Sequence, residues 1–131
     1  MTMGTVYTTR DLSAYHFMRC LFAALADRKK VIINRDEIVN TIFEFKNRTD
    51  SDSKNIFKNI EFRKNIDSVL SSDIEEGINT LQTFGVVGKL NPTYEKIVIF
   101  LTQKEAHEIL KDYDTNVQTV MTELASNFSG G

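Results

Sequence analysis

The segment 73–84 combines an apolar helical pattern with an unusual set of polar residues. Ile74, Ile78 and Leu81 recur at helical spacing and predict a helix with one buried side. Asn and Gln side chains can read adenine edges, and Thr can contact thymine methyl groups or phosphate, whereas carboxylates repel phosphate. The residues on the other side of this helix are Asp73, Glu75, Glu76, Asn79, Thr80, Gln82 and Thr83. We expect this surface to be either a protein-binding face or a plain helix start, where each acid adds about 0.3–1 kcal/mol through the macrodipole.

Basic residues form a second set that could contact a ligand. Residues 28–64 carry ten Lys and Arg against six Asp and Glu, whereas residues 65–131 carry four against ten. The net charge is -2, so binding to nucleic acid would have to depend on a local patch. The alternative is an ordinary solvated surface. If the chain binds DNA, the candidate contacts are Lys54, Lys58, Arg63, Lys64, Lys89 and Lys96.

The residues that most often perform catalysis are few and scattered. His16 and His107 fall on different predicted helices, and no Cys or carboxylate stands at a metal-ligand spacing from either. Cys20 lies in an apolar run and is expected to be a buried hydrophobic side chain rather than a nucleophile. We therefore expect no enzyme activity, no metal and no cofactor.

Composition fits one soluble domain over residues 1–131, with 41% hydrophobic and 26% charged residues. The longest apolar runs are far shorter than the roughly 20 residues of a membrane-spanning helix, so no membrane contact is expected. The N-terminus lacks the basic start and apolar run of a secretory signal. A cytoplasmic location is the expectation, and a lone cysteine fits a reducing compartment.

The first half of the chain reads as helices around one short strand. Apolar spacing predicts a helix at about 9–26, a β-branched strand at 31–33 and a second helix at about 35–46. The polar stretch at about 47–53 is predicted to be a mobile loop. A third helix is expected at about 53–64, from the spacing of its apolar residues.

The second half reads as a helix, a hairpin and a helix. Gly85 stands where a helix commonly ends in the left-handed conformation. Strands are predicted at 86–90 and 94–101, joined by a turn at Asn91-Pro92-Thr93. Thr102 and Glu105 have the spacing of a capping box and predict the start of a last helix at about 103–127.

That last predicted helix carries apolar residues at alternating steps of three and four, a spacing typical of paired helices. The candidate seam comprises Leu110, Tyr113, Val117, Val120 and Leu124. Its partner is either the helix at 9–26 of the same chain or a copy of it in a second chain, which would make a homodimer.

The order of elements from 31 to 102 resembles the winged helix-turn-helix superfamily. The resemblance is carried by INTLQTFGVVGKL followed by IVIFLT, in which a helix with a terminal glycine leads into a hairpin and a Leu-Thr cap. It implies a mainly α protein with a small β-hairpin (α+β), a winged core at about 31–102, and flanking helices at about 9–26 and 103–127. The flanking helices are similar in layout to the dimerising helices of MarR-type regulators.

Three features depart from a DNA-reading winged helix. The connection between residues 45 and 73 is long, the exposed face of the helix at 73–84 is acidic, and the wing at 90–94 has no arginine. We therefore favour a non-catalytic bacterial or phage adaptor that binds proteins, similar to the MukE-like accessory subunits of larger complexes. The alternatives are a dimeric DNA-binding transcription regulator and a phage-type inhibitor of a nucleic-acid enzyme.

Overall fold

A computed structural model describes residues 12–48, 56–90 and 95–128 of the chain. These residues form helices and short strands in a mainly α arrangement with a small β component, so the predicted α+β class is confirmed. In chain order the elements are α1 (Ala14–Asp27), β1 (Ile32–Asn34), α2 (Arg35–Arg48), β2 (Arg63–Lys64), β3 (Val69–Leu70), α3 (Ser72–Thr83), β4 (Val87–Lys89), β5 (Lys96–Ile99), α4 (Gln103–Leu110) and α5 (Thr115–Ser126).

Helix α1 is the centre of the hydrophobic core. It packs against α3, α4 and α5, and every residue from Cys20 to Ala26 is buried. The helix is predicted to start at about residue 9, but residues 12 and 13 are not helical, so the prediction is wrong over these two residues. Ser13 caps the helix instead, its hydroxyl accepting the backbone N–H of His16 at 3.2 Å.

Strands β1, β5 and β4 form an antiparallel sheet in that order. Ile33 pairs with Ile97, and Val87 pairs with Ile99. These four side chains are buried, so one face of the sheet covers the core. Gly85 has φ of 78°, the left-handed helix end that the sequence predicts. The predicted turn at 91–93 lies outside the described residues.

The predicted third helix at 53–64 is wrong where the structure describes it. Residues 56–57 make only a short 3₁₀ turn, and Arg63–Lys64 pairs with Val69–Leu70 as a second, two-stranded sheet. The backbone of Glu61 is held by α3 instead of by a helix of its own. Its N–H donates to Asp73 at 2.8 Å, and its carbonyl accepts from the Ser71 hydroxyl at 2.7 Å. Residues 47 and 48 of the predicted loop at 47–53 belong to α2, so the loop prediction is wrong there, and the rest of it lies outside the described residues.

The predicted single helix at 103–127 is two helices. The capping box of Thr102 and Glu105 opens α4 as expected. The helix then ends at Leu110, and Asp114 caps α5 by accepting the N–H of Val117 at 2.8 Å. A break of four residues keeps the apolar positions of both helices turned toward α1, which is why the spacing alone did not reveal it.

The described ranges 12–48, 56–90 and 95–128 contain no helix with both the length and the apolarity needed to cross a membrane.

Candidate functional site

Helix α3 presents the predicted polar face to solvent. Its apolar side chains Ile74, Ile78 and Leu81 are fully buried, in a helix whose main neighbour is α1. Ser71 caps the helix, and its hydroxyl accepts the N–H of Ile74 at 3.3 Å. The exposed members of the predicted face are Glu76, Asn79, Thr80, Gln82 and Thr83, whereas Asp73 and Glu75 are half-buried.

The three acids at the start of α3 differ in what they contact. Asp73 accepts the backbone N–H of Glu61. Glu75 receives two hydrogen bonds from Arg35, with Nε at 3.0 Å and Nη2 at 2.5 Å. Glu76 has no ion-pair partner among the described residues. Two of the three carboxylates therefore tie α3 to neighbouring segments, and Glu76 is available to a partner.

The pair of Arg35 and Glu75 joins the first turns of α2 and α3. The hydrogen bonds that Arg35 donates to Glu75 raise the pKa of the Arg35 guanidinium. Both side chains are about one-third exposed, at 35% and 34%, so the ion pair is screened and contributes modestly to stability. Sequence reasoning missed Arg35. A cation in the first turn of a helix is destabilised by the positive end of the macrodipole. The position of Arg35 at the start of α2 was therefore the one local signal in the sequence that Arg35 has a specific partner.

A cleft of about 340 Å³ opens beside this ion pair, between the starts of α2 and α3 and the β2–β3 hairpin. Its apolar lining comes from Val39, Val69 and Leu70, and exposed carboxylates of Asp36 and Glu76 lie at its border. We call it the α2–α3 cleft. The other residues that line it are Arg35, Arg63, Ser71, Ser72 and Glu75.

The predicted basic contacts that the structure describes lie on three parts of the chain. Lys58, Arg63 and Lys64 are exposed on or before the β2–β3 hairpin. Lys89 belongs to β4 and donates to the Asn79 side chain of α3 at 3.0 Å. Lys96 is exposed and points away from the core side of the sheet, because its neighbour Ile97 is buried. Lys54 lies outside the described residues.

The candidate seam packs inside this chain. Tyr113, Val117 and Leu124 are buried at 1%, 0% and 0% exposure, in the part of the chain whose main helical partner is α1. Leu110 and Val120 are partly buried against the same core. Of the two partner helices considered, the one in the same chain accounts for the burial of the seam.

Tyr113 also anchors a polar network between α1 and the α4–α5 turn. Arg19 donates to the tyrosine hydroxyl at 3.1 Å and contacts Asp112 at 2.9 Å. His16 Nδ1 lies 3.0 Å from the same hydroxyl, which can donate its proton to a neutral imidazole. Burial lowers the pKa of His16, and the charge of Arg19 lowers it further. The network connects two elements and lines no described cleft.

The remaining candidate side chains have structural surroundings. His107 Nε2 contacts the Asp27 carboxylate at the end of α1. Cys20 is fully buried, and burial raises the pKa of its thiol. Within the described residues, no three His, Cys, Asp or Glu side chains are grouped as a metal site requires.

No protein-family model, curated protein or solved structure matches the chain. The role of the surface around α3 is therefore inferred from its own residues, charges and contacts.

Proposed function

We propose that the chain is a non-catalytic winged-helix adaptor that binds another protein through the exposed face of α3. The observation that carries this proposal is the chemistry of that face. Helix α3 contains no Lys or Arg, and its exposed residues are one carboxylate, Glu76, and five uncharged polar side chains. Such a surface suits hydrogen bonding to a protein better than contact with phosphate groups.

The order and pairing of the elements support a winged-helix interpretation. Strand β1 lies between α1 and α2 in the chain, and α3 is followed by the β4–β5 hairpin. The sheet order is β1-β5-β4. In this interpretation α1 is the first helix of the winged unit, which then begins at Ala14 rather than near residue 31. The β2–β3 hairpin is an addition to the connection between the second and third helices.

The experiment is affinity capture from native cell extract with a matched pair of variants. Thr80→Arg places a long cation on the exposed face of α3, whereas Thr122→Arg makes the same change at an exposed position of α5. We expect a protein captured by the parent chain and by the Thr122 variant to be lost with the Thr80 variant. With that protein purified, calorimetry should show binding weakened by about tenfold or more.

The proposal fails if every captured protein binds the Thr80 and Thr122 variants equally well. It also fails if the parent chain captures nothing above the background of an unrelated tagged protein, because an adaptor must have a partner.

A second candidate function is DNA binding, which one contact favours. Lys89 Nζ bonds to Asn79 and so places a cation beside the exposed face of α3. Fluorescence anisotropy with duplex DNA at about 50 mM salt, where phosphate contacts are strong, distinguishes the two functions. An adaptor should show no binding. Binding that Lys89→Glu weakens and Lys104→Glu does not would replace the adaptor proposal with the DNA-binding one.

A further inference from the structure

The β2–β3 hairpin carries an aliphatic side chain entirely in water. Its turn spans residues 65–68 and is closed by the N–H of Asn65 donating to the carbonyl of Ser68 at 2.8 Å. Ile66 in this turn is 101% exposed, and Leu70 on the following strand is 47% exposed. Exposed aliphatic side chains that lie close together are typical of surfaces that bind another macromolecule.

The hairpin also carries two cations, Arg63 and Lys64, against one acid, Asp67 in its turn. Both cations are exposed, and neither forms an ion pair with another described residue. Lys64 is two positions from Ile66, so a partner that covers the isoleucine also meets this ammonium group. The hairpin therefore suits an apolar recess that has carboxylates at its border.

The α2–α3 cleft has that chemistry and lies next to the hairpin. Val39, Val69 and Leu70 provide the apolar lining, and Glu76 provides an exposed carboxylate without an ion-pair partner among the described residues. A water molecule occupies about 30 Å³ in the liquid. The cleft volume of about 340 Å³ is therefore ample for the four carbon atoms of an isoleucine side chain.

The hairpin cannot fill its own cleft in the observed conformation. Arg63, Val69 and Leu70 form one wall of the cleft, whereas Ile66 is fully exposed and is not part of the lining. The same hairpin thus carries a projecting apolar group and one wall of a recess. A twofold-symmetric interface requires the same patch on both subunits to be self-complementary, and a projecting group with a recess beside it is a patch of this kind.

We propose that a second copy of the chain binds here, with Ile66 of each subunit inserted into the α2–α3 cleft of the other. Lys64 then pairs with Glu76 of the partner subunit. Leu70, in the wall of the cleft, is then covered by the inserted isoleucine. This interface is distinct from the seam of α4 and α5, whose apolar residues are buried inside each subunit. It also leaves Asn79, Thr80, Gln82 and Thr83 outside the dimer contact, open to a further partner.

The first test measures self-association by sedimentation equilibrium over a wide concentration range. We expect the parent chain to dimerise and Ile66→Ser to raise the dimer dissociation constant by roughly tenfold or more. Ile32→Ser is the matched control, because Ile32 is another exposed isoleucine, on β1. It should leave the dissociation constant unchanged. Circular dichroism of each variant shows whether it is folded.

The second test uses charge reversal, which keeps the proposal falsifiable if the serine variant loses structure. Lys64→Glu and Glu76→Lys should each prevent self-association, because like charges then face each other in both contacts of the dimer. Mixing the two variants should restore a dimer, since both contacts of the mixed pair again join opposite charges. Lys104→Glu, at an exposed position of α4, should have no effect.

A parent chain that stays monomeric at every concentration overturns the proposal. So does a dimer that is indifferent to Ile66→Ser, or two charge variants that fail to associate when mixed.

Discussion

The hydroxyl of Tyr113 is the point where side chains from two distant parts of the chain meet. Arg19 and His16 reach it from α1, and Asp112 holds Arg19 from the α4–α5 turn. Because Tyr113 is 1% exposed, water cannot replace a bond that is lost there. The turn between α4 and α5 is thus attached to α1 by polar contacts as well as by apolar packing.

Replacing Tyr113 with phenylalanine tests the value of this attachment. Tyr113→Phe should lower the free energy of unfolding by about 1–3 kcal/mol, because the half-buried Arg19 and His16 side chains lose a hydrogen-bond partner. Urea unfolding followed by circular dichroism measures the change.

Tyr15→Phe is the control, since the hydroxyl of this half-buried α1 tyrosine has no hydrogen bond to another of the described residues. Its effect should be within about 0.5 kcal/mol of zero. Equal losses in the two variants would contradict the role assigned to the Tyr113 hydroxyl.

His16 makes stability depend on pH. Its pKa in the folded chain is lowered from the ordinary 6.5 by burial and by Arg19, so the unfolded chain binds the proton more tightly. The stabilising contribution is therefore complete above pH 6.5 and is lost as the pH falls through the lowered pKa.

The measurement is thermal unfolding between about pH 7.5 and pH 5.5, above the range where most carboxylates titrate. A His107→Gln background leaves His16 as the only histidine. We expect the midpoint temperature to fall with pH in this background and to fall much less when His16→Gln is added. Parallel curves for the two proteins would show that another group is responsible.

Local pairs could be predicted from the sequence and distant ones could not. The capping box of Thr102 and Glu105 follows from residue type and a spacing of three, because backbone geometry brings those positions together. Arg35 and Glu75 are 40 positions apart, and only the packing of α2 beside α3 makes them a pair. Five of the seven residues predicted for the polar face of α3 are exposed, and the two half-buried acids, Asp73 and Glu75, have partners within the chain.

At the scale of elements, the approach of α3 to α1 depends on a glycine. A Cβ atom added at Gly77 would lie 2.7 Å from Met18 Cγ and 3.3 Å from Met18 Cβ. These distances are too short for normal contacts, so α3 or Met18 would have to move. The presence of a glycine within α3 is thus explained by close helix packing.

Gly77→Ala should destabilise the protein although alanine is the better helix former. The gain in helix propensity is up to about 1 kcal/mol, whereas overpacking typically costs about 1–3 kcal/mol. We expect a net loss in urea unfolding. Thr80→Ala on the exposed side of the same helix should be neutral or slightly stabilising. A stabilised Gly77 variant would mean that the two helices separate easily.

Apolar spacing gave two wrong predictions because it does not report chain direction: one segment is not a helix, and one predicted helix is two helices. Ile56, Phe57 and Ile60 have helical spacing and are all buried, yet the chain there makes a short turn and then enters a hairpin. The break between α4 and α5 preserves the apolar alternation across it. Asp114, with the apolar Val117 three residues later, was a capping signal that could have divided this helix.

At the scale of the whole molecule, stability should be greatest in α1 and least in the added hairpin. Helix α1 is enclosed by α3, α4 and α5, whereas β2 and β3 have two residues each and exposed side chains at their turn. Local opening is easy where few apolar contacts are lost.

Native-state hydrogen exchange measures this difference. Amides of residues 20–26 should exchange only through global unfolding, and those of residues 63–70 should exchange through local opening, at least about a hundredfold faster. The α5 amides provide an internal comparison. Hairpin amides as slow as those of α1 would contradict this order, unless the slowing depends on protein concentration and so reports dimerisation.

Cys20 lies at the middle of α1, is the single cysteine of the chain and is fully buried. A thiol reagent can reach it only when the core opens, so the rate of its modification counts unfolding events. The rate of Cys20 modification therefore reports the rate of global opening. It allows the opening rates of all the variants described above to be compared in dilute native buffer, without a denaturant or an added labelling site.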